Sequence, residues 1–137
     1  MKKYDLPINK RANTPLSANI SYEPEGSADS HLYRSIVGAV LYVALATRCD
    51  VAWAVGFLSR FSRNPGTNHL KEARRLIQYL YNTKEYEIKY SRGIPLEVFS
   101  NDPAAYSDAS FATDHAKGKS TTGYVIMMAG GPVMWKS

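Results

Sequence analysis

Residues 67–90, TNHLKEARRLIQYLYNTKEYEIKY, contain the change of pattern that decides the fold class. In the first sixteen residues the apolar side chains recur at helical spacing, at Leu70, Ala73, Leu76, Ile77 and Leu80. From Tyr86 to Tyr90 apolar and charged residues alternate, which is the period of a half-buried strand. The sequence therefore predicts a third helix over 67–82, a β region after it, and an α+β fold.

Two more helices are predicted on the N-terminal side of this stretch. The first runs from His31 to just before Thr47, with its apolar residues on one face. Thr47 and Asp50 have the spacing of a capping box and should start the second helix, which ends at residues 64–66, Asn-Pro-Gly. Because the joins are short, the three helices should pack together as one unit over residues 30–84.

The flanking regions have different characters. Residues 1–29 contain Pro7, Pro15 and Pro24 and no apolar period, so an extended arm is expected there. Residues 85–137 should form a partial antiparallel sheet. Its further strands are predicted at Leu96–Phe99, Ala104–Phe111, Thr121–Met128 and Val133–Lys136, with turns at residues 100–103 and 130–132.

The composition limits the class of protein. With 45% hydrophobic and 21% charged residues the chain should fold, and a single cysteine excludes an intramolecular disulfide. The polar N-terminus is unlike a signal peptide, and the longest apolar run, Gly38 to Ala46, is too short to cross a bilayer. We expect an intracellular protein of the cytoplasm or nucleus with no membrane partner. The net charge of +5 is compatible with a polyanionic ligand.

Several separated motifs resemble copia-type retrotransposon Pol polyproteins, in the same order. The helical region contains YRSIVG at 33–38, TRCD at 47–50, LSRF at 58–61 and NP at 64–65 followed by His69. The β region contains YSDA at 106–109, KSTTGYV at 119–125 and GGPVMWKS at 130–137, and NTPL at 13–16 also resembles the family.

The resemblance implies a helical connection unit that follows the reverse transcriptase, then the first strands of a ribonuclease H-like β-meander. It also implies that the polymerase Asp-Asp motif lies upstream of Met1 and most nuclease carboxylates lie beyond Ser137. We therefore expect a Pol fragment with no enzymatic activity of its own. One alternative is a non-enzymatic nucleic-acid-binding module. Another is an interaction protein whose open sheet edge is completed by another chain, such as the remaining parts of Pol.

Asp108 is the candidate catalytic residue and metal ligand, because the resemblance places it first in the nuclease carboxylate set. Ribonuclease H uses two divalent ions held by clustered carboxylates, and Mg²⁺ would serve the complete family enzyme. A single carboxylate cannot hold such a pair, so we expect no cofactor to bind this fragment alone, and a metal at Asp108 only if another chain completes the site. The alternative is an ordinary exposed or hydrogen-bonded aspartate on a strand.

A cationic stripe is the candidate nucleic-acid surface. Its members at helical spacing are Lys71, Arg74, Arg75 and Gln78, with Arg60 and Arg63 near the preceding turn. Contacts to phosphates would give weak, salt-dependent binding to an RNA–DNA or DNA duplex. A solvated cationic helix face explains the same pattern. Nearby tyrosines could stack on bases only where their rings are exposed, and otherwise belong to the core.

Overall fold

The computed structural model describes residues 12–18, 20, 26–90, 102–114 and 119–137. The predicted strand at Leu96–Phe99 lies outside these residues. The chain divides into two compact units, Met1–Tyr86 and Glu87–Ser137. The described residues form three α-helices and one three-stranded antiparallel sheet, which confirms the α+β class.

The helical unit contains α1 (Ser30–Ala46), a 3-10 turn (Cys49–Val51), α2 (Ala52–Ser59) and α3 (Thr67–Asn82). The carboxylate of Asp29 caps α1 by accepting hydrogen bonds from the backbone N–H groups of residues 31 and 32, at 2.9 and 3.0 Å. The bounds of α3 are those that its periodicity predicts. No helix in the described part of the chain is both long enough and apolar enough to span a membrane.

The predicted capping box before α2 is wrong. Thr47 ends α1, and its backbone N–H donates to Val43 O at 3.0 Å. The carboxylate of Asp50 binds the guanidinium of Arg48 through two hydrogen bonds of 2.8 Å. A charged, two-point donor is a stronger partner for a carboxylate than one backbone N–H group, so the chain makes a 3-10 turn at this point and α2 begins at Ala52.

The turn into α3 is held by a buried histidine. Nδ1 of His69 accepts a hydrogen bond from the backbone N–H of Gly66 at 3.0 Å. The imidazole also stacks on the ring of Phe61, with 3.8 Å between centroids. Pro65 is buried beside it, and its carbonyl accepts from the N–H of Ala28. A turn is present at Asn-Pro-Gly, and its geometry depends on the side chain of residue 69. The predicted end of the second helix at this turn is wrong, because α2 ends at Ser59 and a series of turns connects it to residue 64.

One hydrophobic core joins the helices, and it includes part of the N-terminal segment. The hydroxyl of fully buried Tyr33 on α1 donates to Leu58 O on α2 at 2.6 Å. Ala12 and Leu16 are buried in the same cluster. The pattern of residues 1–29 gave no sign of this packing, because isolated apolar residues in a proline-containing segment have no period to detect. The other core members include Ile36, Val37, Val40, Val51, Val55, Ala73 and Leu76.

The second unit contains a sheet with strand order β1 (Ala104–Asp114), β2 (Lys119–Met128), β3 (Gly131–Lys136), both pairs antiparallel. Three predicted strands are thus confirmed, with ends extended by a few residues. Ala129 and Gly130 form the turn between β2 and β3, with φ of 52° and 81°. Pro132, predicted in this turn, lies in β3 opposite Met127, where an outer strand tolerates a residue that lacks an N–H group.

The strand predicted at Tyr86–Tyr90 does not form. Its last residue is held by its side chain, because the hydroxyl of Tyr90 donates to Pro132 O at 2.7 Å. The ring of Tyr90 and the carbonyl of Lys89 also lie against Gly131, where a Cβ atom would come within 2.8–2.9 Å of both. An alternating pattern is equally compatible with an extended segment that is held in this way and belongs to no ladder.

Candidate functional site

Asp108 lies in the middle of β1 and its side chain is exposed. Its cross-strand partner is Gly123 on β2, so no side chain stands opposite the carboxylate on that strand. A Cβ atom built at Gly123 would meet one atom within 4 Å, Lys136 O at 3.5 Å. Glycine weakens a strand interior and often marks a place where a ligand approaches closely. The position beside the carboxylate is therefore left open on the neighbouring strand.

The described residues do not complete a metal site around Asp108. They contain no group of three or more His, Cys, Asp or Glu side chains placed to hold a metal ion. Magnesium requires a nearly octahedral shell of oxygen atoms, of which one carboxylate supplies at most two. Asp108 fits the chemistry of one ligand, and a metal site there would need further carboxylates that the described residues do not group around it.

The predicted cationic residues differ in exposure. Arg60, Arg63 and Lys71 are exposed, and the guanidinium of Arg60 lies 5.9 Å from the ring centroid of Phe57. Their position at the end of α2 and the start of α3 brings three cationic side chains to one end of the helical unit. These three are the residues of the predicted stripe that solvent, or a nucleic-acid backbone, can reach most easily.

Arg74 and Arg75 are half-buried because the N-terminal segment packs beside α3. Nη2 of Arg75 donates to Oγ1 of Thr14 at 2.9 Å. The neighbouring residue Ser17 binds the buried carboxylate of Glu72 through its N–H and its hydroxyl, at 2.9 and 2.8 Å. The Nε atoms of both arginines are buried without a hydrogen-bond partner among the described residues, which is unfavourable for the folded state.

Gln78 and the clustered tyrosines differ in how far their side chains are exposed. Gln78, placed on the same stripe, is buried, and its amide donates to Asn82 Oδ1 at 3.0 Å. Among the clustered tyrosines, Tyr79 is buried, whereas Tyr81, Tyr86 and Tyr90 are 51%, 62% and 56% exposed. Three of these tyrosines are thus exposed enough to stack on bases. The nearby lysines Lys84 and Lys89 pair with Glu85 and Glu87, so this segment has little excess positive charge.

Sequence reasoning missed the network around Arg48, which is only 8% exposed. Besides binding Asp50, its guanidinium donates to the carbonyl and the hydroxyl of Thr83, at 3.1 and 2.7 Å. The hydroxyl of Tyr79 donates to the same carboxylate of Asp50 at 2.9 Å. Since Thr83 caps the C-terminal end of α3, the network ties the loop before α2 to the end of α3. The TRCD motif was the available signal.

The network shifts the pKa values of its members. Burial raises the pKa of the Asp50 carboxyl, but hydrogen bonds from Arg48 and Tyr79 outweigh it and hold that pKa below its usual range. The hydrogen bond to Asp50 raises the pKa of Arg48. Burial and then Asp50 raise the pKa of Cys49, so its thiol stays protonated at neutral pH. The site is a stable ion pair and offers no reactive nucleophile.

The motifs of the helical region consist largely of residues that hold this unit together. Each of the relevant side chains makes a buried contact or a tertiary hydrogen bond, as described above for Tyr33, Arg48, Asp50, Phe61 and His69. In contrast, Asp108 in the YSDA motif is exposed and makes no such contribution to a core. The helical motifs thus have a structural explanation, whereas the exposed acid is the candidate for chemistry.

Comparison with known proteins identifies relatives. The chain is 43% identical over 105 residues to a putative transposon Ty5-1 protein of Saccharomyces cerevisiae, covering 77% of this chain and 32% of that protein. It is 37% identical over 105 residues to secreted RxLR effector protein 161 of Plasmopara viticola, covering 77% and 70%. It is 31% identical over 148 aligned positions to the retrovirus-related Pol polyprotein from transposon TNT 1-94 of Nicotiana tabacum, covering 100% and 10%.

No protein-family model matches the chain, and no solved structure gives a significant match. The chain spans about a third of the yeast relative and about a tenth of the tobacco polyprotein. Similarity to transposon proteins extends over most or all of its residues, and the motifs occur in the expected order. The chain belongs to the family of retrotransposon Pol polyproteins.

Proposed function

We propose that this chain is the connection segment and the opening of the ribonuclease H-like domain of a copia-type Pol protein, and that Asp108 is one carboxylate of its nuclease site. The observation that carries the proposal is the exposed position of Asp108 at the centre of β1, opposite Gly123, in an antiparallel β1-β2-β3 sheet. The family membership supports it, since Pol polyproteins of this kind are expected to copy RNA and to remove the RNA strand.

The role of Asp108 follows from its chemistry. A strand holds the backbone on both sides of the residue, so the carboxylate has few orientations and is suited to holding one divalent ion. Ions in such a site activate a water molecule and stabilise the attacking and leaving oxygens. Because the described residues provide no cluster of further ligands, hydrolysis requires carboxylates from the rest of Pol, and we expect this chain alone to be inactive.

The test uses an RNA–DNA hybrid with Mg²⁺ or Mn²⁺. The chain alone should not cleave it, whereas addition of the following Pol segment, with the remaining carboxylates, should restore cleavage. Asp108→Asn should abolish the restored activity, and Asp102→Asn, which changes another exposed acid near β1, should leave it intact. Cleavage by the chain alone, or restored cleavage that persists in Asp108→Asn, would contradict the proposal.

A second function, duplex binding by the helical unit, is favoured by the exposure of Arg60, Arg63 and Lys71. Contacts made by a few cations to phosphates give weak binding without sequence preference, and added salt weakens it. We expect Arg60→Ala with Arg63→Ala to lower both the affinity and its salt dependence in fluorescence anisotropy. Lys84→Ala with Lys89→Ala is the matched control, because it removes the same number of exposed positive charges outside the proposed surface. Equal loss in both variants would contradict a localised surface.

A further inference from the structure

Residues 12–17 lie as a strap along α3, with the chain running in the opposite direction to the helix. Three polar contacts join the strap to α3, through the pairs Ser17–Glu72, Thr14–Arg75 and Ala12–Asn82. Ala12 and Leu16 add apolar contacts, because both are buried in the core of the helical unit. The strap therefore spans residues 72–82 of α3, a stretch that includes Arg74 and Arg75.

The stretch of α3 that the strap spans contains unsatisfied polar atoms. In the described part of the chain, the buried side-chain atoms without a hydrogen-bond partner are Nε of Arg74, Nε of Arg75 and Oε1 of Gln78. All three belong to neighbouring positions of one helix, between the two ends of the strap. A buried polar group without a partner is unfavourable, and each one calls for an explanation. Opening of the strap would admit water or a ligand to these groups, which lowers the cost of opening.

The two ends of the strap differ in strength. Ser17 holds its end through hydrogen bonds of 2.9 and 2.8 Å to the carboxylate of Glu72, which is 7% exposed. At the other end the carbonyl of Ala12 accepts from Asn82 at 3.5 Å, which is long for a hydrogen bond. A short hydrogen bond to a buried charged group is worth more than a long one between neutral groups. The strap should therefore open from Ala12 and stay attached at Ser17.

The middle contact of the strap involves a cation of the predicted nucleic-acid surface. Thr14 is exposed, and its hydroxyl oxygen is a neutral acceptor for Nη2 of Arg75 at 2.9 Å. A phosphate oxygen is charged and accepts more strongly from a guanidinium. Lys71, exposed one turn before Arg75, adds attraction for a polyanion. Building on the duplex binding inferred above for the helical unit, we propose that the strap is an autoinhibitory element, which withholds Arg75 until a nucleic-acid duplex displaces Thr14.

The first test removes the acceptor on the strap. Thr14→Val keeps the shape of the side chain but can neither accept from Arg75 nor donate to Leu16 O. In fluorescence anisotropy with a DNA duplex, the affinity should rise about threefold and the salt dependence should steepen by about one unit, as expected for one more phosphate contact. Thr47→Val, at an exposed threonine outside the strap, is the control and should change neither quantity. Arg75→Gln should cancel the gain of Thr14→Val.

The second test follows the strap by methyl NMR of the native chain. Ala12 and Ala54 are both buried, at 4% and 2% exposed, but only Ala12 belongs to the strap. Saturation with the duplex should move the methyl resonance of Ala12 towards that of an exposed alanine and leave the resonance of Ala54 unchanged. An Ala12 resonance that stays in place at saturation overturns the proposal.

The outcomes separate the strap from the duplex binding on which it builds. If the native chain binds the duplex through Arg60 and Arg63 while Thr14→Val changes nothing, the strap is purely structural and the duplex binding stands. If neither the native chain nor Thr14→Val binds, both proposals fall. A gain in Thr14→Val that persists with Arg75→Gln shows that Arg75 is not the withheld residue, and it counts equally against autoinhibition.

Discussion

Arg48 and Asp50, two positions apart in the chain, form an ion pair in which Nε and Nη2 each donate to one carboxylate oxygen at 2.8 Å. The remaining donors of the guanidinium reach Thr83 at the end of α3, 35 positions away in sequence. The arginine side chain is 9% exposed and the aspartate side chain 33% exposed. A local motif is thus converted into a tertiary link between the loop before α2 and the end of α3.

Replacing Arg48 by lysine should destabilise the helical unit. Lysine keeps the charge but cannot bind both carboxylate oxygens and Thr83 at the same time. We expect the free energy of unfolding to fall by roughly 1.5–3 kcal/mol, the range for hydrogen bonds to charged groups. Urea denaturation measures this change, and Arg63→Lys at an exposed position is the control. A loss below about 0.5 kcal/mol, the usual range for surface substitutions, would show that the network adds little.

Stability should also fall in acid because of Asp50. Its pKa in the folded chain is lower than the ordinary value of 3.8, so the unfolded chain takes up the proton first. The contribution of Asp50 to the free energy of unfolding is therefore complete above the pKa that Asp50 has in the unfolded chain. It is lost as the pH falls through the pKa that Asp50 has in the folded chain, below about pH 4. Thermal melts from pH 6 to pH 2 should show a smaller decrease for Asp50→Asn than for the native chain. Parallel decreases in both would refute this assignment.

His69 offers a test that separates a hydrogen bond from ring stacking. His69→Phe keeps a ring against Phe61 but leaves the N–H of Gly66 without its acceptor, at a cost of about 1–3 kcal/mol. His69→Asn keeps an acceptor near the position of Nδ1 but loses the 3.8 Å ring stack. We expect both variants to be less stable in urea denaturation. Full stability of His69→Phe would mean that another acceptor replaces the imidazole.

The two strand glycines should respond differently to alanine. At Gly131 a Cβ atom would lie 2.9 Å from Lys89 O and 2.8 Å from the ring of Tyr90, so Gly131→Ala must displace backbone. At Gly123 the one contact is an ordinary 3.5 Å. Overpacking costs typically 1–3 kcal/mol, which we expect for Gly131→Ala, with a smaller or opposite effect for Gly123→Ala. Chemical shift changes in residues 119–137 would show that Gly131→Ala disturbs the sheet. Equal changes in Gly131→Ala and Gly123→Ala would contradict the close approach of Lys89 and Tyr90 to Gly131.

Hydrogen exchange should distinguish the two units. The buried hydrophobic residues of the described chain all belong to the helical unit, whereas Tyr106, Tyr124, Met128, Val133 and Met134 on the sheet are exposed. Segments with few buried apolar contacts open more easily. We expect slow exchange concentrated in residues 31–82 and faster exchange in residues 104–137. Uniform protection of both units in a monomer would show that the strands are more firmly covered than these exposures indicate.

The sequence by itself was sufficient for most of the described elements and for the family of retrotransposon Pol proteins. The periodicity of residues 67–82 predicts α3 with its observed bounds, and the β1, β2 and β3 strands follow from short apolar runs between turns. These features depend on near neighbours in the chain, which is why a single sequence shows them. The separated motifs predicted the family, and the relatives confirm it.

Only the tertiary structure decided which side chains the motifs place in the core and which remain at the surface. The carboxylate of Asp50 binds the guanidinium of Arg48 and does not cap a helix. The Tyr86–Tyr90 segment forms no strand, although its apolar and charged residues alternate. Arg75 lies 61 positions from Thr14, to which it donates, so no local pattern could reveal that this part of the cationic stripe is occupied. Periodicity reports the neighbours along one helix or strand, whereas burial and hydrogen bonding depend on segments that meet only after folding.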